Sequence, residues 1–486
     1  MVWGINYLQE PPQKFWPAHS FLKDQLVYTK LPATGNNFSV HIRLPDRTLL
    51  NYWMVQTKDK KGNETDIWDS GGDNYPYFSV NYQDGIFYLS GIFIFLAGFL
   101  PLLLHYIKNR GRQMPGSATA PIQIKDYIPQ FDSIRAIAVL LVIIHHWIPE
   151  KSILNFLPNG PIGVNTFFVL SGFLITGILI KGKKEAEELR IKKVNVFRNF
   201  YIRRSLRIFP IYYLLLLVLF LLDDPAIKEN GAWYYTYSSN FLFYLQQDFP
   251  ARVAHLWSLA VEEQFYLVWP FLVIFTPKKL LPYCITAFFI IGVSMNFVFK
   301  SASWWMDILT PSCFDAFAIG ALLSWLINYR SDLIARLQPA FRSIVLVAFL
   351  FFAGELAGMS IFPSRTIHSV LAVMAIYYSL FRKNNIVVNF ILNNKWLIRI
   401  GKISYGIYLY HLFVPELWEY IINQLNAGGI DLFFNHEMPE WLKPAWLFIQ
   451  EFFFLLLIAS VSWKFIEKPI NNLKDSFTIR AKPKTI

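Results

Sequence analysis

Cysteine is nearly absent from this chain: only Cys284 and Cys313 occur among 486 residues, both in or beside apolar runs. Neither a zinc-finger spacing nor a disulfide framework can be drawn from two such residues. They read as small buried hydrophobes, and no metal-ligand set is expected. Charge is also scarce, at 16% of residues against about 25% in soluble domains. No stretch repeats at a fixed period. Duplicated halves with matching broken helices, the usual pointer to a transporter site, are missing as well.

What fills the space is apolar. Hydrophobic residues make up 54% of the chain and aromatic residues 18%, and the mean hydropathy is +0.34. This excess lies in long runs such as "GIFYLSGIFIFLAGFLPLLLHYI" (85–107), "LPYCITAFFIIGVSMNFVF" (281–299) and "SIVLVAFLFFAGELAGMSIF" (343–362). Each approaches the ~20 residues that cross ~30 Å of hydrocarbon. The fold class is therefore an all-α polytopic membrane protein. Apolar runs predict eleven spans, near 86–107, 134–148, 161–180, 209–222, 257–276, 281–299, 313–328, 343–362, 366–381, 398–420 and 445–465.

The formal net charge of +12 invites comparison with nucleic-acid binders, but its placement argues against them. Basic residues cluster between the spans, at "KNRGR" (108–112), "KGKKEAEELRIKKVNVFRNFYIRR" (181–204), "FRKNN" (381–385) and the tail "RAKPK" (480–484). Cytoplasmic placement of these loops satisfies the positive-inside rule. It puts residues 1–85 outside and the C-terminus inside. Residues 1–85 alternate apolar and polar positions, with "NYWMVQTKDKKGNETDIWDSGG" centred on a Lys-Gly-Asn turn, and read as a small β-rich extracytoplasmic segment. No cleavable signal or earlier apolar run precedes it, so the expectation is either a reverse anchor at 86–107 or an upstream segment. The expected layout continues with a linker over 108–130, a transmembrane domain over 131–470 and a basic tail over 471–486.

Ionisable residues inside spans are costly, at least ~2.5–3.5 kcal/mol for Arg, Lys or Asp at the bilayer centre, and so are functional candidates. In "RAIAVLLVIIHH" (135–146), Arg135 and His146 stand eleven positions apart. At 100° per residue they share a helical face, ~16 Å apart along the axis. His145 points about 100° away. Asp132, one turn before Arg135, is placed to pair with it. The bland alternative has Arg135 snorkelling to headgroups and His146 facing water. Further along, Ser171-Gly172 interrupts an apolar span with small residues suited to close helix contact. Arg203, Arg204 and Arg207 gather at the mouth of the next span, where Arg203 and Arg207 share a face suited to phosphate recognition, inner-leaflet anchoring being the alternative. "HLWSLAVEEQFYLVWP" (255–270) carries Trp257, Ser258, Glu262, Glu263 and Tyr266 into a span, with Glu262 one turn beyond Ser258. Such a carboxylate can orient a histidine or take a hydroxyl proton. Asp315 falls within "FDAFAIGALLSW", and "GKISYGIYLYH" (401–411) carries Tyr405 and ends at His411. The aromatic stretches "GAWYYTYSSN" (231–240) and "SASWWMD" (301–307) suit an interfacial belt or sugar stacking.

These motifs, taken in order from about Phe131 to Pro469, resemble the membrane acyltransferase-3 family of bacterial O-acyltransferases. "FDSIRAIAVLLVIIHH" looks like its first span, an arginine and a histidine separated by ten residues, selecting Arg135 and His146. "GVNTFFVLSGFLI" is similar to its Ser-Gly span and "RRSLRIFPIYY" to its arginine-proline motif. "HLWSLAVEEQFYLVWP" resembles its most recognisable stretch, and "GKISYGIYLYH" and "FIEKP" (465–469) its closing motifs, with Ser404 and Glu467. The resemblance implies a ten-helix unit preceded here by one extra span. It implies a multi-pass protein of the bacterial inner membrane that binds no permanent cofactor. Acetyl-CoA or another acyl-CoA serves as cytoplasmic donor, and a hydroxyl of an extracytoplasmic glycan (lipopolysaccharide, peptidoglycan, exopolysaccharide or a lipid-linked sugar) as acceptor. Arg135, Arg204 and Arg207, with Arg203, then meet the anionic donor. His146 acts as general base or acyl carrier, and Glu262 orients His146 or binds the acceptor. Asp132, Ser171, Trp257, Ser258, Tyr266, Asp315, Tyr405 and His411 support the acceptor side. Some members carry a fused esterase-like C-terminal domain; about twenty residues follow Glu467, so a hand-over step would call on a separate partner protein. Two other classes compete: a transporter with an anion or proton-coupled pathway, and a sensor whose spans only anchor an outer domain.

Overall fold

The computed structural model describes residues 127–149, 152–298, 304–357, 362–381, 388–427, 439 and 442–474, and the backbone of strand segments between Val2 and Phe78. Two compact units divide the chain: Met1–Arg112 with Val298–Trp304, and Gln113–Phe297 with Trp305–Ile486. In the first, short strands β1 (Val2–Ile5), β2 (Ser20–Lys23), β3 (Leu26–Thr29), β4 (Ala33–Thr34), β5 (Asn37–Phe38), β6 (Leu49–Lys58), β7 (Glu64–Ile67) and β8 (Tyr77–Phe78) pair antiparallel. Their sheet order is β2-β3-β1-β6-β7, with β8 on β6 and β4 on β5 apart. The expected span at 86–107, most of the linker and most of the basic tail lie outside the described residues.

The second unit is helical. Its helices begin with α1 (Pro129–Trp147), α2 (Asn159–Glu188), α3 (Lys193–Leu221), α4 (Pro225–Tyr235), α5 (Ser239–Gln246), α6 (Leu256–Phe275), α7 (Leu281–Val298) and α8 (Phe314–Tyr329). They continue with α9 (Ser331–Leu356), α10 (Ser364–Phe381), α11 (Lys395–Lys402), α12 (Ser404–Tyr410), α13 (Val414–Ala427), α14 (Lys443–Ser462) and α15 (Lys468–Asn472). Among the described residues, five stretches are long and apolar enough to cross a membrane: Ile153–Glu188, Lys193–Leu221, Leu256–Phe275, Thr310–Tyr329 and Lys443–Asn472. The protein is accordingly a helical membrane protein, with five such stretches where the apolar runs predict eleven spans. Within the described residues, other apolar runs fold as shorter or more polar helices: α1 carries Asp132 and Arg135 in its first two turns, and α7 and the second half of α9 are short.

Helix α2 is the hub, packing on α1, α6, α8 and α10. Its contact with α8 is backbone to backbone. A Cβ added at Gly172 would stand 2.1 Å from Phe317 O, and one at Gly320 2.1 Å from Val169 O. Glycine inside a helix costs about 1 kcal/mol relative to alanine, so the close approach of the two axes has to compensate. Gly320→Ala is expected to push the helices apart, costing roughly 1–3 kcal/mol. The detergent-solubilised variant should melt several degrees below wild type; an unchanged melting temperature would contradict the tight crossing.

Three sequence expectations change. The charged stretch 181–204 does not form a long loop, because α2 runs on to Glu188 and α3 begins at Lys193. The lysines have work within the helix: Lys183 Nζ donates to Val273 O (3.2 Å) and Thr276 O (2.5 Å), and Lys184 Nζ to Asn328 O (2.8 Å). They thereby satisfy the exposed carbonyls at the C-terminal ends of α6 and α8, where a cation also suits the helix dipole. The second change is at 398–420, which is not one span but three helices, α11, α12 and α13. Ile403 leaves helical geometry (φ −104°, ψ 9°), and Gly401 lies so close to Asp132 that a Cβ there would be 1.8 Å from Asp132 O. The aromatics of "GAWYYTYSSN" are partly internal rather than a lipid-facing belt. Tyr234 and Tyr237 are buried, Tyr237 stacks on Tyr212 at 4.1 Å, and the Tyr212 hydroxyl donates to Tyr234 O at 2.8 Å.

Candidate active site

The site begins at the start of α1. Asp132 Oδ1 accepts from Arg135 Nη1 at 2.7 Å, the i,i+3 pair the spacing suggests, and Asp132 Oδ2 accepts from the Tyr127 hydroxyl at 2.6 Å. Both residues line a cavity of about 1700 Å³ that also takes in Arg203, Arg204 and Arg207 of α3. Arg204 lies 3.8 Å above the Tyr266 ring, with Nε 3.9 Å from Glu263 Oε1. Arg207 makes no ion pair or hydrogen bond among the described residues. Arg203 and Arg207 thus line this cavity without a direct ion pair among the described residues.

Next to Arg204, α2 and α6 supply a chain of oxygens. The Tyr266 hydroxyl donates to Ser171 Oγ (2.7 Å), and Ser171 donates to Glu262 Oε1 (2.7 Å). Ser171, Ser258, Glu262, Glu263, Tyr405 and Tyr408 line the wall. The Ser258 and Tyr408 hydroxyls share a hydrogen bond of 2.5 Å and both lie near His255 O, at 2.9 and 3.5 Å. The Tyr405 hydroxyl donates to Ile208 O at 3.2 Å, tying α12 to α3.

Behind Tyr408 sits a cluster of three imidazoles. The His146 and His411 ring centroids are 4.9 Å apart, as are those of His255 and His411. Tyr408 packs 5.5 Å from His411 and 5.7 Å from His255. His411 and His255 are buried, whereas His146 is exposed at the end of α1. His146 Nδ1 contacts Val142 O at 3.0 Å and His411 Nε2 at 3.2 Å.

Several candidates thus come together and others do not. Asp132, Arg135, Ser171, Arg203, Arg204, Arg207, Ser258, Glu262 and Tyr405 share the cavity wall, while His146 and His411 form the adjoining cluster. The expectation that Glu262 orients His146 is replaced by a different pairing, since Glu262 accepts from Ser171 and the ring partner of His146 is His411. Trp257 packs edge-on against Phe168 at 6.2 Å and stands away from the cavity wall. Asp315 belongs to a separate buried node, accepting from Thr366 Oγ1 (2.5 Å) and Ala316 N (2.8 Å). Near it, Arg365 donates to Asp307 O at 2.6 Å. Sequence reasoning missed the joint role of His255 and Tyr408. Their signal was present as i,i+3 spacing, His255 before Ser258 and Tyr408 before His411.

A family model described as an acyltransferase domain matches residues 128–464, which contain every residue of this cavity wall and cluster except Tyr127, Lys468, Asn471, Asn472 and Lys474. Among curated relatives, the peptidoglycan O-acetyltransferase OatA of Listeria monocytogenes is 29% identical over 383 residues, covering 71% of this chain and 56% of its own length. The O-acetyltransferase OatA of Staphylococcus aureus strain NCTC 8325 is 28% identical over 379 residues, covering 71% of this chain and 57% of its own. The chain thus spans little more than half the length of these relatives. No solved structure matches it.

Proposed function

The chain belongs to the membrane acyltransferase-3 family, and from that premise we propose that it is an integral membrane O-acyltransferase moving an acyl group, acetyl by default, from acyl-CoA to a glycan hydroxyl. One observation carries the reading: guanidinium groups, Arg135 at the start of α1 among them, line a cavity whose wall also holds Ser258 and Tyr408, and at the other end of α1 three histidines adjoin Tyr408. An anionic donor needs the guanidinium groups, because charge-assisted contacts from arginine suit phosphate oxygens. Proton transfer needs the histidines, where a neutral imidazole works near neutral pH.

In this mechanism the donor's phosphates meet Arg207, Arg204 and Arg203, while Arg135 is held in place by Asp132. His146 Nε2 takes the proton of the acceptor hydroxyl as its oxygen bonds to the acyl carbon. The carbon–sulfur bond breaks and the thiolate of coenzyme A receives the proton. Glu262, fixed by Ser171, is a hydrogen-bond acceptor for the incoming hydroxyl. The acceptor class follows the peptidoglycan named for the Listeria relative. We place the protein in a bacterial inner membrane, with the arginine-lined cavity at the cytoplasm and the histidine cluster outside. Residues 1–85 form an extracytoplasmic β-rich segment, 86–107 an extra span, 108–130 a linker, 131–470 a ten-helix unit and 471–486 a cytoplasmic tail. A separate protein completing the hand-over to glycan is part of this reading.

Purified protein in liposomes with acetyl-labelled coenzyme A and peptidoglycan fragments tests the reading. The expected result is thioester consumption with label on the glycan, lost in Arg135→Ala. An intact thioester with wild-type protein would sink it, and label merely crossing the membrane would favour transport.

A further inference from the structure

The hydrogen bonds of the histidine cluster fix which atom of His146 is bare. His411 Nδ1 lies 2.6 Å from Tyr408 O. A carbonyl only accepts, so His411 carries its proton on Nδ1, and in the neutral ring Nε2 holds a lone pair. That Nε2 faces His146 Nδ1 at 3.2 Å. His146 Nδ1 also faces Val142 O at 3.0 Å. Both neighbours are acceptors, so His146 Nδ1 carries the hydrogen and shares it between them. Its Nε2 is therefore the unprotonated nitrogen.

His255 follows the same logic. Its Nε2 lies 3.1 Å from Leu409 O and so carries the hydrogen, while its Nδ1 is buried without a hydrogen-bond partner. His255 brings no negative charge to the cluster, and neither does Tyr408, whose hydroxyl is spent on Ser258. Among the described hydrogen bonds and ion pairs, none joins a carboxylate to any of the three rings.

We propose that His411 is the positioning residue for His146, doing with a neutral imidazole what a carboxylate does in a Ser-His-Asp triad. Together with Val142 O it holds the Nδ1–H tautomer, and Nε2 is left bare for the reaction. When Nε2 takes a proton, the imidazolium of His146 keeps its Nδ1–H directed at the His411 lone pair. The main chain between Tyr408 and His411 sets the whole arrangement. Tyr408 O orients His411, Leu409 O orients His255, and His411 O accepts from Trp147 Nε1 at 2.9 Å, fastening the end of α1 to the same turn. The broken helix at 403–414 is what exposes these carbonyls, since an intact span would have spent them within the helix.

The inference rests on His146 being the reacting histidine, so its test needs a readout independent of turnover. The full chain, labelled with nitrogen-15 at histidine and held in lipid nanodiscs, gives the tautomer of His146 by NMR; its signals are assigned by their loss in His146→Asn. The expected spectrum has Nδ1 protonated and Nε2 bare in wild type, and a mixture of tautomers in His411→Ala. His411→Gln, whose side-chain carbonyl can still accept from Nδ1–H, is expected to restore the single tautomer. In parallel, kcat should fall about 10- to 100-fold in His411→Ala, the size seen when a partner orienting a ligating imidazole is removed. The donor KM should stay unchanged, with partial recovery in His411→Gln. A wild-type His146 protonated on Nε2, or a spectrum indifferent to His411→Ala, overturns the proposal even if kcat falls. The expected spectra in a protein that transfers no acyl group would instead leave the positioning intact and defeat the acyltransferase reading.

Discussion

Replacing His146 by alanine is expected to lower the rate of acyl transfer by about 10²- to 10⁴-fold, the usual contribution of a positioned general base. The donor should bind as before, because Arg135 stands eleven residues away towards the start of α1 and no arginine touches the His146 ring. His145→Ala is the control. His145 packs edge-on against His146 at 5.0 Å and against Gly160, where an added Cβ would lie 2.5 Å from His145 Cδ2, but it makes no hydrogen bond to His146 Nδ1. Its loss should cost packing and leave turnover within a few-fold of wild type. Steady-state transfer from labelled acetyl-CoA measures both variants. Equal loss in the two would mean that the end of α1, rather than one nitrogen on it, is what matters.

The second large effect concerns the donor. Asp132 neutralises Arg135 at 2.7 Å, and Arg204 lies near Glu263 and over Tyr266. Arg207 lines the same cavity without an ion pair among the described residues. Asp132, Glu262 and Glu467 offset its charge only from a distance, which leaves its N–H groups open to a phosphate. A hydrogen bond to a charged group is worth about 1.5–3 kcal/mol. Arg207→Ala should therefore raise the KM for acetyl-CoA roughly 10- to 150-fold, with a smaller effect on kcat at saturation. Arg207→Lys should recover only part, because an ammonium cannot match the two-pronged contact with phosphate. Calorimetric titration with coenzyme A alone reads the same loss without turnover. An unchanged affinity would remove Arg207 from the donor site.

Local spacing made some of this site legible in the sequence. Asp132 and Arg135 are one turn apart on α1, and their ion pair follows from that alone. The helical character of 134–148, 161–180, 257–276, 313–328 and 445–465 was equally plain, because long apolar runs admit little else in a bilayer. The misplaced boundaries share a cause. Lys183 and Lys184 looked like a loop because charge usually marks one, yet each caps carbonyls on a helix distant in sequence. Likewise the run ending at His411 looked like one span. Its break depends on Gly401 meeting the Asp132 backbone, a contact between residues 269 positions apart. The pairing of His146 with His411 spans 265 positions, and no local pattern could match those two rings rather than His146 and Glu262. Single residues carried the chemistry; their partners came from the tertiary fold.

On this reading the arginine-lined cavity and the histidine cluster that adjoins it serve the two faces of a membrane. The most direct measurement uses proteoliposomes of one orientation, with acetyl-labelled coenzyme A enclosed and peptidoglycan fragments outside. The account predicts label on the external glycan while coenzyme A stays inside, and no such label with His146→Ala or Arg207→Ala protein. Label that appears only when donor and acceptor share a compartment, or coenzyme A itself emerging with the label, would contradict it.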